Sequence, residues 1–325
     1  MRIAVLIPCF NEEVAIGKVV GDLRHALPEA TVYVFDNNSR DRTVENARAA
    51  GAVVGHVRLQ GKGNVVRRMF ADVDADVYLL VDGDDTYDAA SAPRMVSTLV
   101  EGNLDMVVGG RISQESSAYR SGHRFGNALF TSFVAWLFGR GFTDILSGYR
   151  AFSRRFVKSF PALAHGFEIE TELTVHALEL RMPVEEIGTP YKSRPEGSSS
   201  KLHTYRDGYR ILRTIATLFQ RERPAAFFGG ISVALGAFAL VLAIPLFMTY
   251  AETGLVPRFP TAILVSGIML LAALCAVCGF ILDTVTHGRR EMKRLIYLGI
   301  PSQGHGESAT AKRPIEAVPA STKRF

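Results

Sequence analysis

The sequence predicts an α/β domain, built on a mostly parallel sheet with helices on both faces, followed by two C-terminal transmembrane helices. Two observations carry that expectation. Over the first two hundred residues, short β-branched runs alternate with helical patterns, the signature of βαβ units. Beyond them lie two stretches without a charged residue, Ala225 to Tyr250 and Phe259 to Leu282. Each exceeds the roughly 20 residues that carry a helix across a bilayer.

Taken in order, strands are expected at "IAVLI", "TVYVF", "AVVGHV", "DVYLLV" and "DMVVGG". Helices are expected over Glu12–Ala26, Asp41–Ala50, Asn64–Ala71 and Ser91–Glu101. Sheets of this kind bind ligands outside the carboxyl ends of their strands. Four polar loops fall at such ends, "PCFNEE", "DNNSRDRT", "VDGDDTY" and "GGR", so they gather on one rim. The "GKGN" after the third strand is neither a dinucleotide fingerprint nor a P-loop. Its Lys62 either touches a phosphate or is an ordinary solvated lysine. In "VDGDDTY", Asp82, Asp84 and Asp85 crowd into four residues, and no Lys or Arg occurs between Val73 and Ala92. Crowded carboxylates repel, and one holds its proton unless a cation sits among them. A solvated acidic turn is the plainer alternative.

The two uncharged runs are joined by "AETGLVPR" and read as a membrane hairpin, in which Pro245 is tolerated. Basic flanks, "QRERP" before and "HGRREMKRL" after, place both ends in the cytoplasm by the positive-inside rule. Ahead of the hairpin, "TYRDGYRILRTIATLFQRER" puts Ile211, Leu212, Ile215, Leu218 and Phe219 on one helical face. Arg206, Arg210, Arg213 and Gln220 fall on the other, the pattern of a helix lying along a membrane surface. The resulting division is a catalytic domain at 1–202, an amphipathic helix at 203–223, the hairpin at 224–283, and a basic flank with a disordered tail at 284–325. Self-association through the hairpin is compatible with this layout.

Composition narrows the class further. The 325 residues allow one large domain with an addition, and the formal charge of +5 suits anionic membranes, phosphorylated substrates or nucleic acid. Because that charge concentrates at the membrane flanks rather than among aromatic residues, nucleic acid has little support. Three cysteines make no disulfide framework, and the Cys275–Cys278 pair lies in an apolar helical run where packing explains it. The N-terminus "MRIAVLIPCFNEE" shows neither a long apolar core nor a small-residue cleavage site, so no cleaved signal peptide is expected.

The loops together resemble those of the family 2 glycosyltransferases, in particular the branch that charges polyprenyl phosphates. "VLIPCFNEE", "FDNNSRDRT", "QGKGNVVRR" and "VDGDDTY" match that family's opening, D-D-G-S-x-D-x-T, G-K-G and DxD segments. "GGR", "DILSGYRAF" and "RPEGSSSKL" are similar to the branch's later motifs, and the match runs in order from Arg2 to Leu202. The resemblance implies a Rossmann-like GT-A fold, a nucleotide-sugar donor, Mg²⁺ or Mn²⁺, a polyprenyl phosphate acceptor and inversion at the anomeric carbon. On this likeness Asp82 and Asp84 hold the metal and the donor diphosphate. Asp36 reads the base, Pro8 and Glu13 help seat the nucleoside, and Lys62, Arg194 and Lys201 meet the diphosphate. Arg111 and Arg124 grip the acceptor phosphate, while Asp144 orients the acceptor or an arginine. Asp85 is read as a neighbour of the ligand set or a solvated residue. Two positions depart from the pattern: Asn37 and Asn38 replace an Asp and a Gly, leaving uridine and guanosine both open, and Ala128 replaces a hydroxyl residue four after Arg124.

The implied chemistry is coherent. A diphosphate leaving group gathers negative charge that a hard divalent cation stabilises. A lipid monophosphate, with a second pKa of about 6, attacks as a dianion without a general base, and arginine's planar fork suits its oxygens. Helical or membrane-dipping readings both remain for "HRFGNALFTSFVAWLFGR", which Arg124 opens. The competing functions are a transferase acting on a hydroxyl, such as that of diacylglycerol or a growing polysaccharide, and a non-catalytic membrane scaffold.

Overall fold

The computed structural model describes residues 1–113, 142–163, 166, 168–193, 213 and 216–301. The chain forms β1 (Ile3–Cys9), α1 (Ile16–Ala26), β2 (Thr31–Asp36), α2 (Thr43–Ala49), β3 (Val53–His56), α3 (Lys62–Asp72) and β4 (Val77–Leu80). After a 3-10 turn at Ala89–Ser91 come α4 (Ala92–Glu101) and β5 (Met106–Ser113). Then follow β6 (Arg150–Ser153), α5 (Arg154–Ser159), α6 (Ile169–Glu179), β7 (Val184–Tyr191), α7 (Pro224–Thr253) and α8 (Phe259–Leu298).

The seven strands form one sheet in the order β3-β2-β1-β4-β6-β5-β7. Strand β1 pairs in parallel with β2 and β4, β2 with β3, and β5 with β7; β6 opposes both β4 and β5. One reversed strand in an otherwise parallel sheet has a direct consequence. The segment leading into β6, residues 142–149, arrives on the same rim as the carboxyl ends of all the others.

Alternation along the strands feeds two cores. In β1, Ala4 and Leu6 join Tyr78, Leu80, Met69 and Phe156 on one face. Ile3, Val5 and Ile7 join Leu79, Val20, Leu23, Met95 and Leu99 on the other. Helix α1 meets its face with Ile16, Val19, Val20 and Leu23, the i, i+3, i+4, i+7 stripe of an amphipathic helix. Leu6 and Leu80 are fully buried, and truncating either to alanine costs about 2–5 kcal/mol. The layering is therefore helix, sheet, helix, as the alternating pattern predicted.

Strands β6 and β7 were not anticipated, for a physical reason in each case. Strand β6 has four residues and opens with a charged one, while β7 is an edge strand with Glu185, Glu186 and Pro190, tolerated only where a face or edge is free. Helix α1 starts at Ile16 rather than Glu12; the preceding residues form a turn in which Ala15 N–H and Ile16 N–H both reach Glu12 O, tied to the next rim loop by Glu12 N–H on Thr43 Oγ1 (2.8 Å) and Glu13 N–H on Asp41 Oδ2 (3.2 Å).

Helices α7 and α8 are long and apolar enough to cross a membrane. At 1.5 Å per residue they extend about 45 and about 60 Å. Gly254, at φ 70°, ends α7 in the left-handed conformation that glycine adopts without penalty. The pair closes at Gly279, where a Cβ would lie 3.0 Å from Phe228 Cβ. Helix α8 continues past Leu282 and docks on the domain. Lys293 Nζ donates to Glu179 Oε2 at 2.6 Å, and Arg290 Nε lies 3.4 Å from the other oxygen, an electrostatic contact without hydrogen-bond geometry. Arg289 and Arg290 each reach Glu222 at 3.1 Å. Tyr297 donates to Asp105 Oδ2 at 2.7 Å and accepts from Arg155 at 3.2 Å. Of the amphipathic stretch before the hairpin, residues 213 and 216–223 are described, and Leu218 packs against the core. Its other residues, and the tail from 302, lie outside the described residues.

Candidate active site

The first two rim loops are laced to each other. Asn11 N–H donates to Ser39 Oγ (2.9 Å), Arg40 N–H to Asn11 Oδ1 (2.9 Å) and Arg42 N–H to Glu13 Oε2 (3.0 Å). Pro8, in β1, stands beside Phe35 of β2. At the end of β2, buried Asp36 accepts from Ser39 N–H and meets His56 Nδ1 at 3.2 Å. The two asparagines that break the family pattern have structural work of their own. Asn37 donates to the carbonyls of Val57 and Leu59, both at 2.8 Å, and accepts from Gly61 N–H at 2.7 Å. A carboxylate could not donate those bonds. Asn38 takes φ 65°, which asparagine tolerates better than most residues, and donates to Arg58 and Gln60 at 2.9 Å. Together they pin the loop that delivers Lys62 to the first turn of α3.

The crowded aspartates part company after β4. Lys62 Nζ lies 2.5 Å from Asp82 Oδ1 and 2.5 Å from Glu170 Oε1. Thr86 Oγ1 donates to buried Asp84 at 2.6 Å. Asp85 adopts φ 56°, which swings it to Lys18 Nζ at 2.8 Å. The cations missing from residues 73–92 thus come from α1 and α3, a neutralisation that counting charges along the chain could not foresee. Burial opposes the charge on Lys62, but Asp82 and Glu170 outweigh it and push its pKa up. Gly148 backs Asp82 so closely that a Cβ there would fall 2.5 Å from Oδ2.

Across the rim, Arg111 in β5 grips Asp144 with both arms of its guanidinium. Nε donates to Oδ2 at 2.6 Å and an Nη to Oδ1 at 2.7 Å, with side chains only 16% and 9% exposed. Burial works against the Asp144 charge, yet the Arg111 hydrogen bonds and charge hold its carboxyl below the usual range. Asp144 is in turn held by its segment: Thr143 N–H donates to Glu186 at 2.7 Å and Ser147 Oγ to Gly109 O at 2.6 Å. Fully buried Arg150 clamps the same segment from below, donating to the carbonyls of Ser147 (2.9 Å) and Ile145 (2.5 Å) and to Thr174 Oγ1 (2.8 Å). Burial lowers its pKa to about 10, so it stays charged at neutral pH.

Aromatic rings join the two halves. Arg111 lies 5.5 Å from the Tyr191 ring centroid, Tyr191 packs edge-on against Tyr87 at 5.2 Å, and Gly148 N–H donates to Tyr87 Oη at 2.8 Å. Lys192 N–H also donates to Thr86 O at 2.9 Å, tying the acidic loop to the end of β7. Pro8, Glu13, Asp36, Lys62, Asp82, Asp84, Arg111 and Asp144 therefore stand on one rim. Arg124, Arg194 and Lys201 lie outside the described residues. Sequence reasoning missed Glu170, Lys18, Tyr87, Gly148 and Arg150 as contributors. Tyr87, Gly148 and Arg150 lie within the quoted segments "VDGDDTY" and "DILSGYRAF", whereas Glu170 and Lys18 lie outside every quoted motif.

Among the described residues no group of three or more His, Cys, Asp or Glu is arranged to hold an ion. Asp82 and Asp84 supply two hard oxygen donors. That set fits a small divalent cation whose other ligands are phosphate oxygens and water, and it does not fit a cation caged by protein alone.

Comparison with known proteins bears on the family and the fold. A model described as glycosyl transferase family 2 matches residues 4–160. Glycosyltransferase AglJ of Haloferax volcanii is 33% identical over 296 residues, covering 90% of this chain and 97% of that protein. A dolichyl-phosphate hexose transferase of the same organism is 29% identical over 227 residues, covering 68% of this chain and 95% of its own length. Among solved structures, glucosyl-3-phosphoglycerate synthase of Mycobacterium tuberculosis, in complex with Mn²⁺, UDP and glucosyl-3-phosphoglycerate, superposes with a TM-score of 0.54 at 22% identity. The overlap covers 68% of this chain and 79% of that one, and the likeness is one of GT-A fold.

Proposed function

This chain belongs to glycosyl transferase family 2, and we propose that it moves a single hexose, with inversion, from a UDP- or GDP-linked donor to a polyprenyl phosphate at the cytoplasmic face of a membrane. The observation that carries the reading is the pairing of Arg111 with Asp144 on the same rim as Asp82 and Asp84. On this reading an acidic side that would take a cation shares the rim with a guanidinium that Asp144 holds for an anion.

In this reading Asp82 and Asp84 hold Mg²⁺ or Mn²⁺ with the donor diphosphate, and the cation supplies charge neutralisation for the departing diphosphate. Lys62 adds a fixed positive charge beside it. Arg111, kept in place by Asp144 and resting on Tyr191, orients the phosphate of the acceptor, with Arg124 as its partner. The lipid phosphate attacks as a dianion, so no proton need be removed. Asp144 is committed to Arg111 and serves as its orienter rather than as a base. Asp36, Pro8 and Glu13 line the nucleoside side, and Arg194 and Lys201 close over the diphosphate.

Residues 1–202 are the catalytic domain in this scheme, 203–223 lie along the membrane surface, and 224–283 anchor the chain. From Leu282 to Tyr297 helix α8 extends about 22 Å, close to the height of a seven-residue strand, about 23 Å. That length supports a domain held alongside α8, within reach of lipid headgroups. The two long apolar helices support the kind of acceptor named for the dolichyl-phosphate hexose transferase, a phosphate on a lipid, over a soluble one.

The test uses the full chain in detergent with Mg²⁺ or Mn²⁺, labelled UDP- and GDP-hexoses, and undecaprenyl or dolichyl phosphate. The expected product is an acid-labile glycosyl lipid, abolished by Asp84→Ala. An acid-stable glycoside would assign a hydroxyl acceptor instead, and no labelled lipid with any donor would defeat the reading.

A further inference from the structure

Lys62 is shared by two unequal carboxylates. Asp82 stands at the rim with its side chain 28% exposed, whereas that of Glu170 is only 6% exposed. Glu170 Oε2 has no hydrogen-bond partner among the described residues. A buried carboxylate oxygen left unsatisfied is costly, so Glu170 has acceptor capacity beyond what one contact with Lys62 uses. Burial pushes the Glu170 carboxyl up, and the Lys62 ammonium and the start of α6 oppose that push, so the contact with Lys62 is what favours its charge most.

The geometry sets up a competition at Asp82. A divalent cation seated on Asp82 and Asp84 meets an ammonium already resting on Asp82 Oδ1, and two cations on one oxygen repel. The ammonium must move, and the second carboxylate within its reach is Glu170. We propose that Glu170 is a positioning residue: it draws Lys62 off Asp82 as the cation binds, and holds the ammonium beside the diphosphate. The proposal rests on the cation-binding reading of Asp82 and Asp84. Lys62 rests on Asp82, one of the two carboxylates that would hold the cation; with the cation bound, Glu170 would retain the ammonium. Without Glu170, the arriving cation would force Lys62 off Asp82, and among the described residues no other carboxylate pairs with it.

A double-mutant cycle tests this on the full chain in detergent, reading Mn²⁺ binding alone from the loss of the free-ion paramagnetic resonance signal. Glu170→Gln is expected to weaken Mn²⁺ binding about tenfold while Lys62 is present, and less than about twofold in a Lys62→Met background. Lys62→Met by itself is expected to tighten Mn²⁺ binding, and Glu170→Asp to restore most of the Glu170→Gln loss. Equal weakening in both backgrounds would mean that Glu170 acts only through bulk charge or folding, and would overturn the proposal, as would no weakening. If Lys62→Met does not fold, Lys62→Gln, which keeps a hydrogen-bond donor without the charge, replaces it in the same cycle. Wild-type protein that binds no Mn²⁺, with or without UDP or GDP, would overturn the cation reading and this proposal together.

Discussion

Asp144→Asn removes one negative charge and leaves the outline of the side chain intact. In the native pair, two charge-assisted hydrogen bonds of 2.6 and 2.7 Å join groups that are 9% and 16% exposed, so solvent screens them little. Bonds to charged groups are each worth about 1.5–3 kcal/mol, and removing one member of a buried pair costs about 3–5 kcal/mol. The amide still accepts one bond from Arg111, so the expected loss is about 2–4 kcal/mol. If all of it is felt when Arg111 orients the acceptor, kcat/KM for the lipid phosphate falls about 30- to 1000-fold. The assay is initial-rate hexosyl transfer at saturating donor with polyprenyl phosphate varied, alongside nucleotide binding in Mn²⁺. Acceptor kcat/KM should collapse while nucleotide binding stays within about twofold. The pH dependence has a definite sign. The carboxyl of Asp144 lies below its ordinary value when folded, so its contribution is complete above about pH 4 and is lost only as pH falls through the lower folded value. The gap between wild type and Asp144→Asn should therefore be constant from about pH 5 to 8. A variant within threefold of wild type, or one whose nucleotide binding falls as far as its acceptor use, would refute the reasoning.

Three further outcomes follow from the geometry. In Gly148→Ala the new methyl meets the Asp82 carboxylate at 2.5 Å; because the obstacle is the end of a side chain, melting should shift little while Mn²⁺ binding weakens severalfold in a titration. Glu179 is fully buried between Lys293 and Arg290, so Glu179→Ala takes the carboxylate from Lys293 and leaves Arg290 with Glu222 alone, and should cost about 3 kcal/mol in thermal or denaturant melts, with transfer per folded molecule unchanged at low temperature. His176 sits against Phe156 and Phe160 with its pKa lowered by burial to about 3. The folded state keeps it neutral, so stability falls once pH drops below the unfolded value of about 6.5, by about 2 kcal/mol at pH 5. His176→Gln should flatten that acid-side loss, and melts at pH 7 and 5 that fall equally in both proteins would contradict it.

The order of the first five strands, the helices between them and the apolar hairpin were legible in the chain because each depends on local periodicity. β-branched runs, an i, i+3, i+4 stripe and uncharged stretches report burial within a dozen residues of themselves. So did the rim loops, since polar residues at the ends of apolar strands need no distant partner to be recognised. Strands β6 and β7 escaped that logic: a four-residue strand led by an arginine, and an acidic edge strand, look polar until their neighbours are known. Helix α8 likewise reads as membrane span followed by basic flank, and its docking on Glu179, Glu222 and Asp105 depends on residues far away in the chain.

Sequence alone therefore determined the family's fold, the acidic loop and the arginine at the end of β5. Tertiary structure decided how the charges are shared. Lys62 and Lys18 come from two helices to separate three neighbouring aspartates, and the reversed β6 brings Asp144 to Arg111 from thirty-three residues downstream. Charges act across space with no regard for chain order, so which pairs form is settled only when the strands are in register.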